Sequence, residues 1–156
     1  MDNKQNLPLR LGVGIILLNK ENKVFVGRRL DNPLKFWQMP QGGINNGESF
    51  FQAAKRELEE ETAITKVKLI KELDDWLIYN LPDDLLGKIW QGKYRGQKQK
   101  WFVMKFEGED QEINVNTKSP EFLEWKWVNP DELPKIVVNF KKDIYKTLLV
   151  KLNNII

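Results

Sequence analysis

The sequence predicts an α/β domain built on a mixed β-sheet. Two observations lead to this prediction. Segments with apolar or alternating strand-like patterns recur along the chain, and three segments with helical signals are interspersed with them. The length of 156 residues and the 41% hydrophobic content suit one ordinary globular domain, so we expect residues 1–156 to form a single domain.

The first elements are predicted to form a β-hairpin. Residues 11–18 are a nearly continuous apolar run, which is typical of a buried strand. Residues 19–22 carry turn-forming side chains, and residues 23–29 follow as a second strand. Residues 36–43 then lead into a glycine-rich turn, where glycine lets the backbone fold back sharply.

A helix is predicted over residues 49–62. Ser49 and Gln52 form a capping-box pattern at its start. Four residues recur at helical spacing and are expected to form its buried stripe: Phe50, Ala53, Ala54 and Leu58.

The second half of the chain supplies more strands. Residues 67–79 contain strand-like segments that are interrupted at residues 74–75. Residues 80–96 are rich in Pro, Asp and Gly and are predicted to form a long loop. Residues 97–107 and 122–128 alternate as strands do.

Two helices complete the predicted fold. Asn129 as a cap and Pro130 at the first position indicate a short helix through Leu133. Asn139 is predicted to cap a C-terminal helix. Its apolar residues recur every four positions: Phe140, Ile144, Leu148 and Leu152.

Composition excludes several kinds of chemistry. The chain has no His and no Cys, which excludes Ser-His and Cys-His catalysis, thiolate metal sites and disulfides. The net charge of +3 is compatible with a polyanionic substrate but is weak for a dedicated nucleic-acid binder. Because there is neither an apolar secretory core nor a membrane-length run, we expect a cytoplasmic enzyme that does not bind membranes.

Carboxylates are concentrated on the helix of residues 49–62. Glu57, Glu60 and Glu61 are three and four positions apart, so they can share one helix face. Three adjacent carboxylates repel one another, and cations such as Mg²⁺ or Mn²⁺ relieve that repulsion. A solvated helix face is the alternative for any Glu-rich helix.

The spacing around these residues favours the metal site. Gly42 is followed after five residues by Glu48, after seven more by Arg56-Glu57-Leu58, and after one more by Glu60-Glu61, with Ile64 beyond. This pattern resembles the signature of the Nudix hydrolase family. The chain departs from it once, with Ala63 where the family has Gly. Since an L-residue in a left-handed helix exit costs about 1–2 kcal/mol, we expect Ala63 to alter the turn and not the reaction.

The resemblance implies a fold, a cofactor and a set of catalytic residues. In this family a mixed β-sheet is sandwiched between α-helices, and phosphoanhydride bonds are hydrolysed with two or more Mg²⁺ (or Mn²⁺) ions. The residues implied as metal ligands are Glu57, Glu60, Glu61 and Gly42. Glu48 is expected to orient the site, and Arg56 is expected to bridge the acidic residues.

Four further blocks resemble the RNA pyrophosphohydrolase branch of the family, which overlaps with dinucleoside polyphosphate hydrolases. They cover residues 37–45, 95–102, 119–127 and 138–145. This resemblance implies removal of pyrophosphate from the 5′-triphosphate end of RNA, a step of mRNA decay. We expect the protein to be a monomer, and the sequence does not indicate protein partners. The alternatives are hydrolysis of diadenosine tetra- or pentaphosphate and a catalytically silent module that binds RNA or nucleotide.

The same resemblance implies substrate contacts. Arg10 and Arg29 match residues that hold the 5′ phosphates or the RNA. The residues implied to contact nucleotides or phosphates elsewhere are Gln41, Tyr79, Val138, Phe140 and Lys141. Phe140 and Tyr79 are expected to stack on bases.

Lys98 and Lys100 are predicted to supply point charges for the polyphosphate. Alternation places them on the strand face opposite Gln97, Gln99 and Trp101. A plain edge strand guarded by lysines would have the same pattern.

Glu121 is the remaining carboxylate of interest. It lies in a Pro-containing loop before a strand, where a polar surface residue is common. The resemblance implies that it is a metal ligand or the general base. The reaction is then attack by a metal-activated water without a covalent enzyme intermediate, and the general base is a box carboxylate or Glu121.

Overall fold

A computed structural model describes residues 6–30 and 36–156, which form a mixed eight-stranded sheet with helices on both faces. The strands are β1 (Leu9–Leu18), β2 (Val24–Arg29), β3 (Trp37–Gln38), β4 (Gln41–Gly43), β5 (Val67–Glu72), β6 (Leu77–Asn80), β7 (Gly96–Phe106) and β8 (Phe122–Val128). The helices are α1 (Phe50–Thr62), α2 (Leu133–Ile136) and α3 (Lys142–Asn153). Within these ranges, no helix is both long and apolar enough to cross a bilayer.

The centre of the sheet is the parallel pair of β1 and β7. The two strands stay in register from Leu9 opposite Gly96 to Leu18 opposite Lys105. All other pairings are antiparallel: β2 and β4 pair with β1, β3 and β8 with β2, and β5 and β6 with β7. The predicted mixed sheet is therefore confirmed. The edge-strand alternative for residues 97–102 is wrong, because β7 pairs with β1 on one side and with β5 and β6 on the other.

The two faces of the sheet hold two apolar cores. Alternate residues of β1 point to opposite faces, as a strand requires. One core packs beneath α3 and includes Ile16, Leu18, Trp101, Val103, Tyr145 and Leu148. The other packs beneath α1 and includes Val13, Ile15, Phe102, Met104, Ala54 and Leu58. The sheet is thus sandwiched between helices, as the resemblance implied.

Helix α1 begins as its sequence predicts, but its end differs from the expectation. The Ser49 hydroxyl accepts from the Gln52 N–H at 3.1 Å, and the Gln52 side chain accepts from the Ser49 N–H at 2.9 Å. At the other end Ala63 is left-handed, with φ 64° and ψ 7°, while its N–H donates to the Glu59 carbonyl at 2.8 Å. Ala63 thus adopts the left-handed exit that glycine usually provides, so the expectation that it alters the turn needs correction, and the helix tolerates the strain of an L-residue there. In the buried stripe, Phe50 is only half-buried.

Three expectations at loops and helix starts need correction. The segment of residues 80–96 is not only loop, because Trp90–Gly92 forms a 3₁₀ turn. Asn139 does not cap α3: a 3₁₀ turn at Asn139–Lys141 precedes the helix, which starts at Lys142. The Pro-initiated helix after Asn129 is longer than predicted, since a 3₁₀ turn leads directly into α2.

Candidate active site

Arg56 ties the turn before α1 to the helix itself. Its Nε and Nη2 atoms donate to both carboxylate oxygens of Glu48, at 2.7 and 3.1 Å. Nη1 donates to Glu57 at 2.8 Å and to Glu60 at 3.1 Å, and Nη2 also reaches the Gly43 carbonyl at 2.9 Å. A planar guanidinium can make this set of contacts, whereas an ammonium cannot. The hydrogen bonds from Arg56 also lower the pKa of Glu48.

Gly42 allows α1 to approach β4 closely. A β-carbon at position 42 would collide with the Glu57 carboxyl group, so any other residue would displace that side chain. Strand β4 pairs with β1 through Gly42 and Val13, which fixes the backbone beneath the helix. The glycine thus lets the Glu57 carboxylate lie directly against the backbone of β4.

Glu61 is the most buried carboxylate of the helix. It is 2% exposed, and its Oε2 atom has no hydrogen-bond partner among the residues that the structure describes. Burial first, and then the charges of Glu57 and Glu121, raise its pKa well above the usual range. Burial also raises the pKa of Glu57, although Arg56 opposes that shift. An unpartnered oxygen among like charges fits a cation ligand, so these residues suit Mg²⁺ or Mn²⁺.

The predicted cluster of three helix carboxylates is only partly formed. Across residues 6–30 and 36–156, no three His, Cys, Asp or Glu side chains stand together as a ready-made metal site. The side chain of Glu60 is 59% exposed and bonded to Arg56, while Glu57 lines the cleft together with Glu121. The charge of Glu121 also reaches Glu61. As the side chains stand, the acidic set of the cleft is therefore Glu57 and Glu121, which line it, together with the buried Glu61, which their charges reach.

These carboxylates adjoin a cleft of about 610 Å³ at the end of the central strands. Seven of the nine residues predicted to bind substrate line it: Arg10, Arg29, Gln41, Tyr79, Val138, Phe140 and Lys141. Two smaller depressions, of about 280 and 260 Å³, lie beside the β1–β2 turn and along the outside of α1. Neither of them contains Glu57 or Glu121, so the large cleft is the candidate site.

The wall of the cleft formed by the segment before α3 is both aromatic and cationic. The rings of Tyr79 and Phe140 are 5.7 Å apart at 46°. The buried Lys141 ammonium lies 5.5 Å from the Tyr79 ring and donates to the Gln38 side chain at 3.1 Å. Arg29 donates to the same Gln38 oxygen at 3.3 Å. Cations and aromatic faces at one wall suit a ligand that has both phosphates and bases.

Tyr79 belongs to the floor of the cleft. It is 5% exposed, and burial raises the pKa of Tyr79 to about 12. Its hydroxyl donates to Gln97, whose side-chain oxygen also accepts from Gln99 at 2.8 Å. Gln99 in turn donates to Gln41 and accepts from Trp101. This buried amide network supports β4 from below. The alternation of residues 97–101 was its signal in the sequence, although the sequence did not reveal its role.

The structure does not bring Lys98 and Lys100 to the cleft. The alternation of β7 turns them to the sheet face opposite Gln97 and Gln99, as predicted, and neither lysine is among the residues that line the cleft. Their ammonium groups lie 5.0 and 5.6 Å from the Trp76 ring, and Lys100 donates to the Asp74 carbonyl at 3.0 Å. The prediction that they contact phosphates in this cleft needs correction on that ground.

A second part of the cleft lining was missed by the sequence analysis. It is formed by Leu85, Ile89 and Trp90, within the segment that was predicted as a plain loop. Arg10 lies between this wall and β4: its guanidinium is 5.3 Å from the Trp90 ring centroid. The sequence signals in this segment were its apolar and aromatic residues, such as Leu85, Ile89 and Trp90, and they give no indication of the side that Trp90 faces.

Comparison with known proteins agrees with this geometry. A family model described as the NUDIX domain matches residues 8–148. A protein of Pelagibacter ubique named RNA pyrophosphohydrolase is 58% identical over 99% of this chain and 98% of its own length. One of the same name from Orientia tsutsugamushi (strain Boryong) is 43% identical over 94% of this chain and 91% of its own.

Solved structures have the same fold at lower identity. The E. coli dihydroneopterin triphosphate pyrophosphohydrolase superposes with a TM-score of 0.72 at 21% identity, covering 94% of this chain and 99% of that one. A C. elegans Ap4A hydrolase superposes with a TM-score of 0.65 at 20% identity, covering 92% and 98%. At these identities the likeness concerns the fold alone.

Proposed function

Because the chain belongs to the NUDIX family, we propose that it is a metal-dependent hydrolase that removes pyrophosphate from the 5′-triphosphate end of RNA and leaves a 5′ monophosphate. The observation that carries the proposal is the cleft itself. Carboxylates with an unpartnered buried oxygen lie beside Arg10, Arg29 and Lys141, and aromatic side chains flank them. A substrate with a chain of phosphates attached to a nucleotide matches this site, because metal ions and cationic side chains can bind the phosphates and aromatic side chains can bind the base.

The residues that would hold the metal ions are the acidic set of the cleft. Glu57 and Glu61 offer carboxylate oxygens, Gly42 offers its carbonyl, and Glu121 completes the set from the loop before β8. Glu60 joins them in the proposal if its side chain leaves Arg56. When bound, two or more Mg²⁺ or Mn²⁺ ions would neutralise phosphate charge and lower the pKa of a bound water.

The other residues of the candidate site would bind the substrate or orient the carboxylates. Arg56 keeps Glu48 and Glu57 in fixed positions through its paired contacts. Arg10, Arg29 and Lys141 would hold phosphate oxygens at the cleft walls, and Phe140 with Val138 offers an apolar face to a base. Glu121 is exposed at the cleft, which supports a role as proton acceptor for the attacking water or as a ligand.

The test is a comparison of two substrates under identical conditions with Mg²⁺. We expect kcat/KM on a 5′-triphosphorylated RNA oligonucleotide to exceed that on diadenosine tetraphosphate by about tenfold or more, which corresponds to about 1.4 kcal/mol of transition-state binding. The products should be pyrophosphate and 5′-monophosphorylated RNA. The absence of any RNA turnover would contradict the proposal.

Hydrolysis of dinucleoside polyphosphates is the second candidate. The cleft has aromatic side chains on two walls, Phe140 on one and Trp90 on the other, and a substrate with two bases could use both. The same assay separates the two candidates through the ratio of their kcat/KM values. A silent binding module would give no Mg²⁺-dependent products from either substrate.

We further propose that the protein acts in the cytoplasm as a monomer of one domain, with RNA decay as its setting. The match of one family model to residues 8–148 supports the single domain.

A further inference from the structure

The wall that carries Trp90 has an unusual backbone. Three consecutive residues are left-handed: Trp90 has φ 51°, Gln91 φ 58° and Gly92 φ 71°. Only the last of them is a glycine, so two residues with side chains adopt a conformation that is costly for them. Backbone strain of this kind concentrates at functional sites, where the surrounding structure maintains it. The contacts of Trp90 should therefore explain why the strained turn is kept.

The Trp90 ring contacts Arg10. The Arg10 guanidinium carbon lies 5.3 Å from the ring centroid, within the range of a cation–π contact. Tyr94 supports the ring edge-on, with centroids 6.2 Å apart at 78°. On its other side Arg10 meets β4 so closely that a β-carbon at Gly43 would collide with its guanidinium. The Arg10 guanidinium is thus confined between Trp90 and Gly43.

The segment that carries Trp90 is tied to the strand that carries Arg10. The Arg95 N–H donates to the Pro8 carbonyl at 3.0 Å, just before β1 begins. The Leu81 N–H donates to the Arg95 carbonyl at 2.8 Å, which closes the base of the loop. Within the loop, the Gly92 N–H donates to the Ile89 carbonyl at 3.0 Å. These bonds keep the tryptophan and the arginine in one rigid arrangement.

We infer that Trp90 is a positioning residue of the cleft: it fixes the Arg10 guanidinium so that this cation meets the substrate's phosphate chain opposite Glu57. The inference rests on the proposed function, because it assumes a polyphosphate in the cleft. A long Arg side chain loses conformational freedom when it binds phosphate. A ring that has already ordered the guanidinium removes part of that cost, so the gain appears in substrate binding.

The test is a double-mutant cycle of Trp90→Ala and Arg10→Ala on 5′-triphosphorylated RNA. We expect KM to rise about tenfold in Arg10→Ala and about fivefold in Trp90→Ala, with kcat within about twofold. The double variant should be no worse than Arg10→Ala, because Trp90 acts only through Arg10. Additive losses, or an unchanged KM in Trp90→Ala, would overturn the inference.

A matched control is available in the same fold. Lys126 lies 4.3 Å from the Trp37 ring, and neither residue lines the cleft. Lys126→Ala removes a cation–π pair of comparable geometry and should leave KM unchanged. If Trp90→Ala does not fold, Trp90→Phe decides, since phenylalanine is a poorer partner for a cation. It should raise KM about twofold when Arg10 is present and not at all in the Arg10→Ala background. No difference between the two backgrounds counts against the inference.

Binding of inorganic tripolyphosphate separates this inference from the proposed function. The same variants are titrated by calorimetry in buffer containing Mg²⁺, without any RNA. Coupling between Trp90 and Arg10 in tripolyphosphate binding, with no turnover of RNA by the wild type, would refute the proposed function and leave the inference standing. RNA turnover by the wild type with no coupling in either assay would refute the inference alone.

Discussion

Replacing Ala63 with glycine should stabilise the protein without altering its reaction. Ala63 ends α1 in the left-handed region, with φ 64° and ψ 7°. An L-residue there costs about 1–2 kcal/mol, and glycine removes that cost. Glycine also gives the unfolded chain more conformational freedom, which lowers the free energy of unfolding by about 0.4–1 kcal/mol. The net gain is then about 0.8 kcal/mol, or a rise in Tm of about 2–3 °C for a chain of this size.

Two measurements on Ala63→Gly and the wild type test this prediction. Thermal unfolding gives the change in stability, and kcat/KM on triphosphorylated RNA shows whether the reaction is altered. Lys55→Gly is the control, because Lys55 is an exposed position inside the same helix. There glycine should destabilise by about 1 kcal/mol, which shows that the sign depends on backbone conformation. A lower Tm in Ala63→Gly would refute the argument from strain. A change of kcat/KM beyond about twofold would show that the turn reaches the reaction.

Three more predictions concern individual side chains. Glu61→Gln should cut turnover by orders of magnitude and abolish the rise in Tm caused by Mg²⁺. The control is Glu59→Gln, which changes an exposed residue and should alter neither turnover nor Tm. Wild-type turnover and Tm in Glu61→Gln would contradict the assignment of this residue to the metal site. Arg56→Lys should lower kcat by about 10²-fold, since an ammonium cannot hold several carboxylates in place, while Arg28→Lys in an ion pair outside the cleft should leave kcat unchanged. Tyr145→Phe should destabilise by about 1–3 kcal/mol in thermal unfolding, because its hydroxyl accepts from a buried main-chain N–H at 2.7 Å, and an unchanged Tm would contradict this.

The sequence predicted most where local rules decide the outcome. The start of α1 follows from Ser49 and Gln52, which satisfy each other's N–H groups within one turn. The strands of the centre follow from apolar runs and alternation. The C-terminal helix was predicted to start too early, because Asn139 has the composition of a cap but lies in a 3₁₀ turn. Propensity alone does not separate a cap from the tight turn that precedes a helix.

The lining of the cleft could not be predicted fully, because it depends on which strands pair across long distances in the sequence. Alternation correctly placed Lys98 and Lys100 on one face of β7, but the sequence contains no local signal for which face meets the cleft. That choice depends on β1 and β6 pairing on either side of β7, which sets Tyr79 beside Gln97. The lysines accordingly lie with Trp76, and the glutamines lie beneath the substrate cleft. Trp90 was missed for the same reason, since its position depends on a loop that is tied to the start of β1.

The carboxylates of α1 differ in their surroundings, although their spacing in the sequence does not distinguish them. Glu57, Glu60 and Glu61 are all within one turn, but Arg56 is one turn before Glu60 and binds it at the surface. Glu61 lies on the side that packs against β4, where burial raises its pKa and one of its oxygens has no partner within residues 6–30 and 36–156. A buried charge of this kind destabilises the fold unless a cation compensates it. The arrangement therefore links stability to metal binding, and Mg²⁺ should raise Tm in the wild type more through Glu61 than through Glu60. If Glu60→Gln lost the stabilisation by Mg²⁺ and Glu61→Gln kept it, this division of roles would be wrong.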